Sequence, residues 1–236
     1  MTGVQTCALP ILAIKQVGAP NLSPDGRWVT YTVGGWEHPQ AKGDTAKGDV
    51  HENRSHVWLV ATDGASPARQ LTFSERGESS PQFSPDGGTI AFISARGTSA
   101  GNGATPHLWL LRLAGGEAEQ LTTGKAGVGA FTWSPDGRAI AFVAADSTSR
   151  EDDAKRGRRD DPQQFEGDVT LTHAWVVDVA TKKARELTHS TDWTVAGAPQ
   201  WSPDGTRLTI NTHPTTLVRD ERRGAFIVDV ASGRLT

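Results

Sequence analysis

The residues with the clearest capacity for chemistry are serines. The segment Gly97-Thr98-Ser99-Ala100-Gly101 matches G-x-S-x-G, the pattern in which many hydrolases hold a serine nucleophile at a sharp strand-to-helix turn. The apolar stretch TIAFIS precedes this match, but Asn-Gly-Ala-Thr-Pro follows it, and glycine and proline disfavour the helix that the turn requires. We therefore interpret residues 97–101 as a loop and expect no catalytic residue in this chain.

Four more serines each open the sequence Ser-Pro-Asp-Gly, after a large apolar residue and before an apolar alternation. They are Ser23, Ser84, Ser134 and Ser202. Proline presets φ for the first central position of a tight turn, aspartate can bond local amides, and glycine accepts the positive φ that follows. The repeated motif therefore predicts hairpin turns, with serines that are structural rather than nucleophilic.

A third candidate is a repeated His-x-Trp pattern that begins at His56, His107 and His173. Imidazole is a common zinc ligand, and each ligand must lie about 2.0–2.1 Å from the ion. Equivalent residues of packed sheets lie about 10 Å apart, so these histidines cannot share a metal. We expect no metal and no cofactor, and we interpret the tryptophans of the pattern as packing between sheets; they are Trp58, Trp109 and Trp175.

The elements that carry these motifs recur in a fixed order. Each unit has a short segment ending in Ser-Pro-Asp-Gly, an alternating strand, a variable loop, a third apolar strand such as HLWLLRL, a small turn, and a short strand closing on Leu-Thr. Four hairpin-connected strands repeated in tandem, without helical periodicity, predict an all-β fold, a β-propeller of four-stranded antiparallel blades. The four blades are expected at residues 12–72, 73–122, 123–188 and 189–236.

Composition argues against two classes of partner. The chain has 24 Lys and Arg against 27 Asp and Glu, so no overall field favours nucleic acid or anionic lipid. The basic run at 155–159 lies within EDDAKRGRRDDPQQFEGD (151–168), where acidic neighbours offset it, and it predicts a solvated loop. No apolar run approaches the roughly 18–20 residues of a membrane span. We therefore expect no nucleic acid and no membrane partner.

The first residues, MTGVQTCALPI (1–11), resemble a translated sequencing adapter and are expected to be non-native. A signal peptide is the alternative, but residues 1–14 contain no Lys or Arg, which such a leader normally has. The same segment holds Cys7, the chain's single cysteine. A chain without other cysteines fits a cytoplasmic location and equally a periplasmic one.

The pattern W-S-P-D-G…I-A-F…L-W-L-L…G-G…Q-L-T resembles the propeller repeats of two groups of proteins. One is the N-terminal domain of prolyl oligopeptidase family serine peptidases, in particular the acylaminoacyl-peptidase-like branch, and the other is the TolB-like propeller. The opening LAIKQVGAPNLSPDGRWVTYTV, the segment beginning DPQQFEGD, and the long, uneven loops at 34–55 and 145–172 favour the peptidases.

The peptidase resemblance implies seven or eight blades and a C-terminal α/β-hydrolase domain with a Ser–Asp–His triad. We therefore expect this chain to be a partial propeller of four blades, without the catalytic domain, which in the intact enzyme limits the access of peptide substrates. The alternative is a TolB-like propeller that binds proteins and catalyses nothing. Dipeptidyl-peptidase relatives use a propeller Glu pair, and the nearest approach here is Glu151-Asp152, which argues against that subtype.

Geometry suggests one functional surface. In an up-and-down blade, the loops between second and third strands all leave on the side opposite the Ser-Pro-Asp-Gly turns. Trp36-Glu37-His38, residues 151–168 and residues 213–223 would then share one rim. Our hypothesis is that this rim filters substrate or contacts the hydrolase domain.

Overall fold

The computed structural model describes residues 14–37, 52–97, 105–124, 126–145, 171–214 and 224–236. Within these ranges all regular secondary structure is β-strand, and the strands form four sheets. The predictions for residues 1–11, 98–101 and 151–168, and for most of 213–223, lie outside the described residues.

The first sheet has five strands, because its expected first strand is split in two. Two short strands, β1 and β2, both pair antiparallel with β3, and the sheet continues through β4 to β5. Between β1 and β2 lies Pro20, which has no amide hydrogen to donate to β3. The strands are β1 (Gln16–Val17), β2 (Asn21–Leu22), β3 (Trp28–Glu37), β4 (Glu52–Ala61) and β5 (Arg69–Gln70).

The second and third sheets each have four strands in sequence order. In both sheets, three longer strands are followed by a fourth strand of two or three residues. The second sheet contains β6 (Glu78–Phe83), β7 (Thr89–Ser94), β8 (His107–Arg112) and β9 (Glu119–Gln120). The third contains β10 (Val128–Trp133), β11 (Ala139–Ala145), β12 (Thr172–Asp178) and β13 (Ala184–Glu186).

The fourth sheet differs at its end. It contains β14 (Trp193–Trp201), β15 (Arg207–Pro214) and β16 (Gly224–Asp229) in that order. In place of a fourth strand, Leu235 forms an isolated antiparallel bridge with Val228. Two backbone hydrogen bonds between Ile227 and Thr236, of 2.9 and 2.8 Å, complete this closure.

The core lies where central strands are covered on both faces. In β7, the four consecutive residues Ile90–Ile93 are all buried, as expected for a strand between two packed layers. The third and fourth sheets share one apolar cluster. Its buried members are Ala141, Val143, Ala174, Val176, Leu187, Val195, Leu208, Ile210 and Val228.

The described residues divide into two compact units. The first contains the described residues up to Gly97 together with Leu111–Glu117, and the second contains Thr105–Leu110 and the residues from Ala118 onward. No helix in the described ranges is long and apolar enough to cross a membrane.

Candidate functional site

The Ser-Pro-Asp-Gly segments form the turns that join β2 to β3, β6 to β7, β10 to β11 and β14 to β15. At Ser134, the amide of Gly137 donates to the serine carbonyl at 2.9 Å, which closes the turn. The Ser134 hydroxyl donates to Asp136 Oδ1 at 2.7 Å and accepts from the Ala139 amide at 2.9 Å. Gly137 has φ +71°, a conformation that glycine adopts without steric cost. The hydroxyl thus acts as both a donor and an acceptor within the turn.

The other three turns repeat this geometry. The hydroxyls of Ser23, Ser84 and Ser202 donate to the aspartate two residues on, at 2.6, 2.5 and 2.5 Å. This bond is the main reason why the pKa of each aspartate lies below its ordinary value, and for Asp204 the pKa falls to about 2. The hydroxyls of these serines thus stabilise the turns, as the sequence predicts.

The G-x-S-x-G match begins at Gly97, the last described residue before the gap. Ser99 lies outside the described residues, so its interpretation as a loop residue stays a prediction. Gly97 itself has φ +75°, which suits a turn at the end of β7.

The three His-x-Trp histidines are all buried, but each has different surroundings. His56 Nδ1 lies 2.9 Å from Glu78 Oε2. His107 Nδ1 has no hydrogen-bond partner among the described residues, and burial lowers the pKa of this imidazole. His173 Nδ1 lies 4.0 Å from Glu186 Oε1. Since each histidine belongs to a different sheet and meets different groups, the described structure does not bring the three together.

The tryptophan of the third pattern has a defined neighbour. Trp175 pairs with Phe142 across β11 and β12, and the two rings stack at 6.2 Å between centroids and 23° between planes. This contact lies within one sheet. The packing of the three tryptophans between sheets stays a prediction.

A buried charged cluster joins the first and second sheets, and we call it the Glu78 cluster. Its members are Glu78 at the start of β6, His56 in β4, Thr72 after β5, and Arg96 after β7. The Thr72 hydroxyl donates to Glu78 Oε2 at 2.6 Å, His56 Nδ1 approaches the same oxygen, and Arg96 Nη2 donates to Oε1. The Glu78 side chain is 0% exposed and that of Arg96 is 21% exposed. All four residues belong to one compact unit.

Glu78 is held in its charged form by these neighbours. Burial alone would raise the pKa of its carboxyl, but Ser74, Thr72, His56 and Arg96 together bring it below the ordinary value. A histidine beside a carboxylate is the arrangement that orients a catalytic base in many hydrolases. Here the His56 side chain is only 9% exposed, so the pair has no surface on which to meet a substrate. We interpret the cluster as structural, because it joins the first and second sheets.

A second polar cluster lies at the equivalent end of the third sheet. Glu186 Oε1 is 3.3 Å from His189 Nδ1 and 4.0 Å from His173 Nδ1, and the two imidazole rings are 6.5 Å apart. These three residues, with Leu171 and Asp192, line an open cavity of about 530 Å³. Within the described ranges, no three His, Cys, Asp or Glu side chains are placed to hold a metal ion.

Of the predicted rim, the structure describes only part. Trp36 is 43% exposed at the end of β3, and Glu37 is the last residue of that strand. His38, residues 151–168 and residues 215–223 lie outside the described residues. The common rim therefore stays a prediction.

Sequence reasoning did not find Glu78. In the sequence it stands in ERGESSPQF, which reads as an ordinary polar loop before an apolar strand. Strand pairing identifies the counterparts of Glu78: it pairs with Ser94, and Val128 and Val195 occupy the corresponding positions in the third and fourth sheets. β6, β10 and β14 each contain a bulge. Glu78 and Val128 both stand six residues before the serine of Ser-Pro-Asp-Gly, whereas Val195 stands seven residues before it, so repeat alignment alone matches Glu78 to Val128 but not to Val195.

No family model matches this chain, and a search of curated proteins finds no match either. Solved structures do match. An acylaminoacyl peptidase from Pyrococcus horikoshii aligns with a TM-score of 0.64 at 15% identity, over 96% of this chain and 32% of that one. TolB from Acinetobacter baumannii aligns with a TM-score of 0.57 at 19% identity, over 92% of this chain and 41% of that one. An oligogalacturonate lyase from Vibrio parahaemolyticus gives a TM-score of 0.62 at 12% identity, over 93% and 52%.

These similarities establish the fold. The chain is an all-β partial propeller built of four antiparallel sheets, and its fold matches the propeller regions of acylaminoacyl peptidase and TolB. It spans less than half the length of either of these two relatives. At such identities the likeness concerns fold alone, and a shared fold does not by itself imply a shared activity.

Proposed function

We propose that this chain is the propeller region of a prolyl oligopeptidase family serine peptidase, and that it limits which peptides reach a separate hydrolase domain. The observation that carries the proposal is the match to acylaminoacyl peptidase, which uses 96% of this chain but only 32% of the peptidase. Such a match is what a domain of a larger enzyme gives.

The described chemistry is compatible with a non-catalytic role. The serines of the Ser-Pro-Asp-Gly turns have hydroxyls bonded within the turn, and the His56–Glu78 pair is buried. The mechanism would then be acyl transfer through a serine, with the Ser–Asp–His triad in the hydrolase domain. The propeller would contribute by admitting short or unfolded peptides and excluding folded proteins.

The second candidate is a TolB-like propeller that binds proteins without catalysis. The observation in its favour is the match to A. baumannii TolB at 19% identity over 92% of this chain. The two candidates differ in what the source gene encodes beyond Thr236. A G-x-S-x-G segment within alternating strands and helices supports the peptidase, whereas further propeller blades followed by a stop support the binding protein.

A direct test uses the intact protein. We expect deletion of residues 148–166 to increase the hydrolysis of a folded protein relative to a short acyl-peptide, because the expected rim would be shortened. Ser202→Ala, which alters a turn at the opposite end of the strands, serves as the control. An unchanged ratio after the deletion would contradict the access role.

A further inference from the structure

The turn between β4 and β5 is an alanine counterpart of the four Ser-Pro-Asp-Gly turns. Its sequence is Ala61-Thr62-Asp63-Gly64, and its glycine has φ +70°, against +70° to +72° in the motif. The Gly64 amide donates to the Ala61 carbonyl, as each motif glycine donates to its serine carbonyl. The Ala65 amide donates to Asp63 Oδ1 at 2.9 Å, and each motif aspartate accepts the corresponding bond. The chain therefore contains one turn geometry both with and without a serine.

The alanine turn holds its Asp–Gly bond less firmly than the serine turns do. Each motif serine donates its hydroxyl to aspartate Oδ1 at 2.5–2.7 Å, whereas Ala61 has no hydroxyl to donate to Asp63. The motif glycine amides lie 2.8–2.9 Å from the serine carbonyls, but the Gly64 amide lies 3.4 Å from the Ala61 carbonyl, beyond the usual distance of about 2.7–3.2 Å. Asp63 and Gly64 are both exposed. The carboxylate and the amide beside it are therefore less restrained in the alanine turn.

An aspartate followed by glycine contains the two groups of a backbone rearrangement that needs only water. The glycine amide nitrogen loses its proton and bonds to the aspartate Cγ, the carboxyl group loses its hydroxyl, and a water molecule leaves as a succinimide ring closes. Water then opens the ring. Opening at Cγ restores aspartate, whereas opening at the backbone carbonyl leaves glycine attached through the side chain, as isoaspartate. Glycine favours ring closure because no side chain obstructs its nitrogen.

The serine hydroxyl opposes ring closure in two ways. It holds aspartate Oδ1 within the turn, so the carboxyl group does not rotate freely towards the glycine nitrogen. It also favours the carboxylate, which is a poorer electrophile than the neutral acid: the serine bond is the main reason why the pKa of each motif aspartate lies below its ordinary value. Ala61 supplies neither effect to Asp63.

We propose that Asp63–Gly64 is a site of isoaspartate formation in this chain, and that each Ser-Pro-Asp-Gly serine protects the Asp–Gly bond of its own turn. This protection goes beyond the proposed function, because it depends on the chemistry of the turns alone. Isoaspartate adds one methylene group to the main chain. The Thr62 amide and hydroxyl donate to the carbonyls of Arg27 and Gly26 at 2.9 and 2.8 Å, so the added length falls beside the contact between two turns of the first sheet.

Peptide mapping of the purified chain, kept folded at neutral pH, tests this assignment. Isoaspartate is located by the methyl group that an isoaspartate methyltransferase adds to it. We expect isoaspartate to form about tenfold faster at Asp63 than at Asp136, since a hydrogen bond to a charged group is worth at least about that factor in a local equilibrium. In urea, where both turns are unfolded, the two rates should be similar because glycine follows both aspartates. Similar rates in the folded chain, or an unchanged ratio in urea, would overturn the proposal.

Substitutions at the first turn position assign the difference to the serine. Ala61→Ser is expected to slow isoaspartate formation at Asp63 about tenfold. Ser134→Ala is expected to accelerate it at Asp136 by a similar factor, whereas Ser134→Thr, which keeps a hydroxyl, changes the rate little. Ile210→Val is the matched control for lower stability, because it removes a buried methyl group from the same compact unit without touching the turn.

Circular dichroism verifies that each variant is folded, and Ala61→Ser decides the result if Ser134→Ala does not fold. An unchanged rate at Asp63 in the Ala61→Ser variant would overturn the protective role of serine. Equal acceleration at Asp136 by Ile210→Val and Ser134→Ala would also overturn it, because the effect would then follow from general opening of the fold.

Discussion

Substitution of Ser134 by alanine tests whether the turn serines are structural. The change removes the hydroxyl that accepts from the Ala139 amide at 2.9 Å and donates to Asp136 at 2.7 Å. Ser134 is 3% exposed, so water reaches the abandoned amide poorly, and an unsatisfied buried donor costs about 1–3 kcal/mol. The Asp136 side chain is 60% exposed and regains water as a partner. We therefore expect a loss of about 1–2 kcal/mol in the free energy of unfolding.

Urea unfolding followed by tryptophan fluorescence measures this loss. With a slope of about 2 kcal/mol per molar urea, the midpoint falls by about 0.5–1 M and the slope stays unchanged. Ser202→Ala is the matched control, because Ser202 makes the corresponding bonds at 2.5 and 2.9 Å in a more exposed turn, where water can replace them. The reasoning is refuted if Ser134→Ala leaves the midpoint unchanged, or if the Ser202 variant loses as much as the Ser134 variant.

Three further predictions concern packing, backbone conformation and pH. Ile210→Ala, at 1% exposure in the apolar cluster, is expected to lower the free energy of unfolding by about 2–5 kcal/mol, whereas Ile227→Ala, at 43% exposure, changes it by less than about 1 kcal/mol; equal losses in urea unfolding would contradict this. Gly26→Ala is expected to cost about 1–2 kcal/mol because φ is +72°, while Gly129→Ala, whose Cβ would meet only the Val143 carbonyl at 3.7 Å, is expected to be near neutral; thermal melts compare the two. The pKa of Asp204 is about 2 in the folded chain against an ordinary 3.8, so the unfolded chain binds more protons at acid pH. The contribution of Asp204 to stability is therefore present above pH 4 and is lost as the pH falls toward 2. Urea midpoints measured from pH 6 to pH 2 should fall less steeply for Asp204→Asn than for the unaltered chain, and parallel curves would show the shift to be wrong.

The hairpins were predictable because their signals are local. Ser-Pro-Asp-Gly fixes a turn through φ preferences and through bonds that span five residues, as Ser134 to Ala139 illustrates. The order of strands followed from the same repeat. The split of the first strand was not predicted, although Pro20 marks the interruption.

The Glu78 cluster was not predictable for a different reason. Its members come from four separate segments of the chain. No local preference of Glu78, His56 or Arg96 reports the contact, which exists only once two sheets have packed. The cluster can be recognised only when the packing of the two sheets is known, and that packing is a tertiary property.

The closing Leu-Thr segments complete the hydrogen bonding of the third strand in each of three sheets. The hydroxyls of Thr72, Thr122 and Thr188 accept hydrogen bonds from the backbone amides of Val57, Leu108 and Ala174, at 2.9, 3.0 and 2.9 Å respectively. The strands that precede these threonines have only two or three residues, so the amides of these three buried residues would otherwise lack a partner. A side-chain oxygen occupies each of these donors within the same sheet. The threonine hydroxyls thereby continue the hydrogen bonding of β4, β8 and β12 beyond the point where the short strands end.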